Sequence, residues 1–155
     1  MSISNLASQM KAEGEDVINL AVGEPDFDTP NHVIEAAMMA MNAGQTRYTN
    51  VAGTLALRQA VCDKYQRDNL LSYQMQQVLV SNGAKQSIYN LTVALLNVGD
   101  QVILPAPYWV SYSAMVTMAG ATCVTISCPA SQAFKLTATQ LADAITPATK
   151  LLILN

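Results

Sequence analysis

The sequence has few charged residues, no cluster of basic residues and no long apolar run. Only 12% of its 155 residues are charged, whereas hydrophobic residues make up 51%. With a net charge of -3, nothing predicts a nucleic-acid-binding surface. No run reaches the roughly 18 apolar residues of a membrane span, and the N-terminus lacks the basic start and apolar core of a secretory signal. This low content of charged residues indicates that much of the chain is buried, either within its own fold or against further sequence.

Several kinds of catalytic and metal site are also missing from the sequence. Cys62, Cys123 and Cys128 lack the CxxC or Cys/His spacing of a metal site. An odd and sparse set of cysteines predicts reduced thiols in a cytoplasmic protein. His32, the one histidine, is better explained as a surface or capping residue beside a helix start than as a base or ligand. Neither a GxSxG nucleophile elbow nor an HExxH zinc motif occurs, so no metal site is predicted.

The segment INLAVGEPDFDTP, residues 18–30, follows an apolar run and is rich in acidic residues and proline. Its three carboxylates alternate in sequence: Glu24, Asp26 and Asp28. Such a run could hold a metal ion, but two prolines fix the backbone and no further ligand cluster follows, so loop and helix-cap roles are preferred. Thr29 is expected to cap a helix that has Pro30 at its first position.

Helical and extended patterns alternate along the chain. Helices are predicted over residues 3–13, 30–44, 55–65, 84–97, 108–119 and 139–145. Extended apolar runs are predicted over residues 17–22, 77–81, 102–104, 122–126 and 151–154. From residue 77 onwards strands and helices alternate, which is the order of a parallel sheet with crossover helices. The sequence therefore predicts an α/β fold.

Two segments at predicted strand ends could bind a ligand. In VSNGAKQSIYN a strand ends, Gly83 permits a tight turn and a helix begins, which would aim backbone N–H groups and a helix dipole at an anion. An ordinary strand-to-helix turn is the alternative. In LPAPYWVSY the only tryptophan, Trp109, follows a strand, where it could pack in the core or support a flat ligand. Together the two segments favour a planar, phosphorylated cofactor.

Four segments resemble, in order and spacing, the N-terminal part of the class I aminotransferases. They are INLAVGEPDFDTP, RYTNVAGTLALR, SNGAKQSIYN and APYWVSY. These enzymes use pyridoxal 5'-phosphate (PLP) and have fold type I, and the bacterial aspartate aminotransferase branch is the most similar. The resemblance implies a three-layer αβα fold with a mainly parallel sheet, incomplete in this chain. It assigns residues 1–44 to the small domain and linker region, and residues 45–155 to the N-terminal half of the PLP-binding large domain, truncated after its fourth strand.

The same resemblance implies roles for individual residues. Gly23 would present its backbone to the substrate carboxylate, and Trp109 would stack on the pyridine ring and border the substrate. Tyr48 would reach across a homodimer interface to the PLP phosphate of the other subunit. The turn whose backbone amides bind the phosphate is matched by three residues: Gly83, Ala84 and Lys85.

The implied activity is transamination, with transfer of the amino group of aspartate or a related amino acid to 2-oxoglutarate. It would be a ping-pong reaction through a Schiff base on a lysine, with amino acids and 2-oxo acids as substrates. None of the lysines present matches the Schiff-base position, so no catalytic residue is assigned and the chain alone is expected to be inactive. The alternatives are a non-catalytic truncated or degenerate product, a sensing module, or another PLP reaction such as that of a β-lyase.

The resemblance also has a consequence for folding. In this family the first large-domain strand is separated from the next three by strands that come later in sequence. Residues 78–81 would then lack their neighbours in the sheet and leave unpaired strand edges. We therefore expect the isolated chain to fold poorly or to aggregate.

Overall fold

Two amphipathic helices form the N-terminal unit, Met1–Tyr48, of a computed structural model that describes residues 3–20 and 23–155. Helix α1 spans Ile3–Ala12 and helix α2 spans Asn31–Asn42. Residues 17–20 form neither helix nor strand, and the other two residues of the predicted extended run, 21–22, lie outside the described residues. Among the residues described in this unit, Ala7 alone is buried.

Helix α2 begins one residue later than predicted. The N-cap is Pro30 and not Thr29, with a ψ of 138° and no side-chain cap. That extended ψ leaves Pro30 outside the helix, and its carbonyl oxygen accepts a hydrogen bond from the Val33 amide at 2.9 Å. At the other end the predicted stop is confirmed, because Gly44 follows the helix with a φ of 75°, a left-handed conformation that suits glycine.

The second unit, Thr49–Asn155, alternates helices and strands. Its helices are α3 (Leu55–Asn69), α4 (Gly83–Leu95), α5 (Ser111–Met118) and α6 (Ala138–Ala144). Its strands are β1 (Gln101–Ala106), β2 (Thr122–Ser127) and β3 (Thr149–Leu152). Short 3-10 helices lie at Met75–Gln77 and Ala130–Gln132. The structure confirms the predicted helices of this unit and its last three predicted strands, with ends shifted by a few residues.

The three strands form one parallel sheet in the order β2-β1-β3. The successive residues Val102, Ile103 and Leu104 are all buried, although side chains along a strand alternate between the two faces. Both faces of the central strand are therefore covered, as its continuous apolar sequence predicted. Five buried residues form the core cluster: Leu96, Val102, Leu104, Val116 and Ala121.

The prediction of a strand at residues 77–81 is wrong. Gln77 closes a 3-10 helix, and Val78 is extended, with φ -111° and ψ 124°, without joining the three-stranded sheet. A strand requires hydrogen bonds to a neighbouring strand, but the Val80 amide donates to the carbonyl oxygen of Ala52, in a loop, at 3.1 Å. The segment is therefore a loop, and this hydrogen bond joins it to the loop that contains Ala52. Poor folding of the isolated chain stays a prediction.

Candidate functional site

A tight turn precedes helix α4. Gly83 has a φ of +82°, and the space that a Cβ would occupy is open. The Asn82 amide donates to the side-chain oxygen of Gln86 at 2.6 Å, which fixes the turn against the first turn of the helix. Glycine is favoured at this position because other residues rarely adopt such a backbone conformation.

The first turn of α4 presents backbone donors to solvent. The amides at the start of a helix have no acceptor within the helix. The amide of Gly83 donates to the carbonyl oxygen of Ser81 at 2.8 Å and is thus already bonded. Ala84 and Lys85 follow in this first turn and are exposed residues, so their N–H groups are the candidate donors to an anion.

Trp109 lies just beyond the end of β1, after a cis Ala106–Pro107 peptide bond. Trp109 is 40% exposed, so among the described residues, 3–20 and 23–155, it lies at the surface and not in the core. The indole packs against Tyr112 with ring centroids 5.4 Å apart and ring planes at 85°. Because Tyr112 also packs against the core cluster, it links the exposed indole to the centre of the sheet.

The Lys85 side chain joins these two features. Its Nζ atom lies 4.7 Å from the centroid of the Trp109 ring, within the range of a cation–π interaction. Through this contact, the first turn of α4 and the aromatic ring beyond β1 come within the length of one lysine side chain. Four sequence-predicted residues are therefore neighbours in one unit: Gly83, Ala84, Lys85 and Trp109.

The other two predicted site residues, Gly23 and Tyr48, belong to the N-terminal unit. Both are exposed, and the Tyr48 side chain is fully so. No atom lies within 4 Å of the position that a Cβ would take on Gly23. Their backbone and ring are thus accessible to a ligand or to another subunit. Four further residues considered above are also exposed: Glu24, Asp26, Asp28 and His32.

Sequence reasoning missed three features of this site. It assigned no role to Tyr112, three residues after Trp109, although that spacing brings two aromatic rings together at the start of a helix. It also overlooked Gln86, whose position four residues after Asn82 allows the observed hydrogen bond. For Lys85 it considered the backbone amide, whereas the side chain makes the contact with the indole.

Residues 3–20 and 23–155 contain neither a candidate metal-binding cluster nor a candidate membrane-spanning helix. No group of three or more His, Cys, Asp or Glu side chains could hold a metal ion in this part of the chain. None of its helices is long and apolar enough to cross a membrane.

The residues around α4 and Trp109 fit a planar group that carries an anion. The amides of the exposed residues Ala84 and Lys85 suit the anion, and the open space beside Gly83 allows it to approach the backbone. The part-exposed indole of Trp109 suits a flat ring. The Lys85 ammonium, which lies over the Trp109 ring, adds a positive charge to the site.

Comparison with known proteins identifies the family. Residues 15–155 match the family model described as aminotransferase class I and II. The chain is 50% identical over 155 residues to the aspartate/prephenate aminotransferase of Cereibacter sphaeroides, covering all of this chain and 39% of that protein. It is 47% identical to the aspartate aminotransferase of Rhizobium meliloti, covering all of this chain and 38% of that protein. It thus spans about two fifths of the length of these curated relatives.

Solved structures give the same result for the fold. The crystal structure of the Rhizobium meliloti aspartate aminotransferase matches 97% of this chain and 38% of its own, with a TM-score of 0.91 and 47% identity. The Thermus thermophilus aspartate aminotransferase with maleate matches 97% of this chain and 40% of its own, with a TM-score of 0.93 and 41% identity. The α/β fold with a parallel sheet, predicted as part of the aminotransferase fold, is confirmed. The chain belongs to the class I and II aminotransferase family.

Proposed function

We propose that the protein is a PLP-dependent aminotransferase that transfers the amino group of aspartate, or a related amino acid, to 2-oxoglutarate. The observation that carries this proposal is the contact between Lys85 and Trp109, which joins an anion-binding turn to an aromatic surface. The names of the relatives support aspartate as the amino donor, and one of them adds prephenate as a second acceptor to test.

In this proposal the residues around α4 and Trp109 hold the cofactor. The amides of Ala84 and Lys85 hold the phosphate, and Gly83 leaves its approach open. Trp109 supports the pyridine ring and, with it, one side of the substrate. When bound, PLP withdraws electrons from the α-carbon of the amino acid.

The N-terminal unit supplies the other two proposed contacts. Gly23 presents backbone to the α-carboxylate of the substrate, and its exposed position supports this role. Tyr48 reaches the cofactor phosphate of the other subunit in a homodimer, for which a fully exposed side chain is suited. The three free cysteines suit a reducing compartment, so we propose the cytoplasm as the location.

We do not expect the 155 residues to catalyse transamination by themselves. Transamination needs a lysine that binds the cofactor covalently and moves the α-proton. Lys85 lies in the phosphate turn, and none of the other lysines stands at the matching position of the family. We therefore propose that these residues bind the cofactor and that they do not transaminate by themselves.

The test measures PLP binding and amino transfer with the full-length protein. We expect a visible absorbance from bound PLP, formation of glutamate from 2-oxoglutarate with aspartate, and the parallel-line kinetics of a ping-pong reaction. Loss of ring stacking in Trp109→Ala should weaken PLP binding about tenfold, while Trp109→Phe should retain most of it. Tyr73→Ala is the matched control, because Tyr73 is an exposed aromatic residue of the same unit that contacts Tyr65.

Three outcomes would contradict the proposal. Release of ammonia and an oxo acid without amino transfer would indicate a lyase. Binding of PLP with no turnover of any amino acid would indicate a sensing module. A protein that binds no PLP would be a non-catalytic product of the family.

A further inference from the structure

We infer that Lys85 is a positioning residue that covers the Trp109 ring and leaves it when an anion binds at the start of α4. The inference rests on the cofactor site proposed above. It assigns to Lys85 a function of its side chain that differs from the role of its backbone amide. Binding of the anion would thereby uncover the surface on which the planar ring stacks.

The Lys85 side chain runs from the first turn of α4 to the Trp109 ring, with its Nζ atom 4.7 Å from the ring centroid. A ligand with its phosphate on the amides of Ala84 and Lys85 and its ring on Trp109 must span the same gap. Stacked rings approach to a similar centroid distance, so a ligand ring that stacks on the face covered by the Lys85 ammonium would occupy the space of that group.

A cation over an exposed aromatic ring gains little, whereas a hydrogen bond between an ammonium group and a phosphate joins two full charges. Lys85 is exposed and its chain of methylene groups is flexible, so the ammonium can turn from the indole towards an anion at its own helix terminus. The anion therefore has two effects, because it binds the amides and also draws the cation away from Trp109.

The experiment follows Trp109 directly by fluorine NMR. The full-length protein is labelled with 5-fluorotryptophan, the Trp109 resonance is assigned by its loss in Trp109→Phe, and inorganic phosphate is added at constant ionic strength. We expect phosphate to shift this resonance in the wild-type protein towards its position in Lys85→Met. Phosphate should leave the resonance of Lys85→Met unmoved, and Lys85→Gln provides a second uncharged variant.

Lys64→Met is the matched control, because Lys64 also places its Nζ over an aromatic ring, that of Tyr65, at 5.0 Å. This variant should respond to phosphate as the wild type does. A second measurement uses pyridoxine, a planar ring without phosphate. Its affinity should be about two- to fivefold higher in Lys85→Met than in the wild type, since no cation–π interaction has to be broken.

The outcomes separate this inference from the proposed function. If PLP binds, but the Trp109 resonance is the same in the wild type and Lys85→Met, the inference is wrong and the cofactor site stands. An equal phosphate shift in both proteins, or no shift in the wild type, would also overturn it. If PLP fails to bind at all, the proposed function fails, and the inference fails with it.

Discussion

The two units of the chain differ in how far their apolar residues are buried. In Thr49–Asn155 the central strand buries Val102, Ile103 and Leu104 almost completely, under elements of the same unit. In the N-terminal unit, helix α2 has apolar residues at helical spacing, yet all of them are substantially exposed: Val33, Ile34, Met38 and Met41. An apolar stripe thus predicts that a helix forms, but it does not say which surface will cover the stripe.

The largest expected effect tests this contrast with one substitution in each unit. Leu104→Ala removes a fully buried side chain from the core cluster and should destabilise its unit by about 2–5 kcal/mol. Leu6→Ala removes the same atoms from α1, where the side chain is about half exposed, and should change stability by less than about 1 kcal/mol. Pulse proteolysis at low protein concentration, with amide exchange of β1 and α1, measures both changes.

An equal loss of stability in the two leucine variants would contradict this contrast in burial. Leu6 would then be covered in solution by a surface that the described residues do not provide. A small effect of Leu104→Ala would mean that the site collapses around the missing side chain, because the cost of such a substitution depends on the cavity that remains.

A second pair of variants compares two glycines with similar backbone conformations. Gly53 and Gly14 have φ angles of +100° and +89°, so alanine is strained at both. At Gly53 a Cβ would lie 2.7 Å from Cγ2 of Val80, whereas at Gly14 no atom lies within 4 Å. Gly53→Ala should therefore cost about 1–3 kcal/mol more than Gly14→Ala, as measured by amide exchange in each unit.

The Gly53 result also tests how residues 78–81 are held. If Gly53→Ala costs no more than Gly14→Ala, Val80 is free to move away, and the loop at residues 78–81 is not fixed by its neighbour. High amide protection of residues 78–81 in a monomer with a cooperative transition would contradict the expectation that the isolated chain folds poorly.

How much the sequence predicted also differs between elements. The strands β1, β2 and β3 were predictable because each is an apolar run between turn residues, and the turn at Gly83 because its φ favours glycine. Residues 77–81 have the same composition as a strand, but pairing depends on a neighbour that local sequence does not encode. For the same reason Trp109 was open to two interpretations, and the contact from Lys85 could not be read from spacing across two elements.

The smallest expected effect comes from removing a helix N-cap, and it distinguishes the observed cap of α6 from the predicted cap of α2. In the capping box of α6, the Gln140 amide donates to Oγ1 of Thr137 at 3.2 Å, and the Thr137 amide donates to Oε1 of Gln140 at 3.0 Å. Thr137→Ala should destabilise α6 by about 1 kcal/mol, which is about a fivefold faster exchange of the Leu141 and Ile145 amides.

Thr29→Ala is the matched change in the N-terminal unit, where α2 has Pro30 as its N-cap and no side-chain cap. It should leave the exchange of the α2 amides unchanged, because no hydrogen bond from a capping side chain is lost. Thr137→Ser retains the hydroxyl and should restore most of the protection of α6. Loss of protection in Thr29→Ala would mean that Thr29 caps α2 in solution after all, and the two units would then start their helices in the same way.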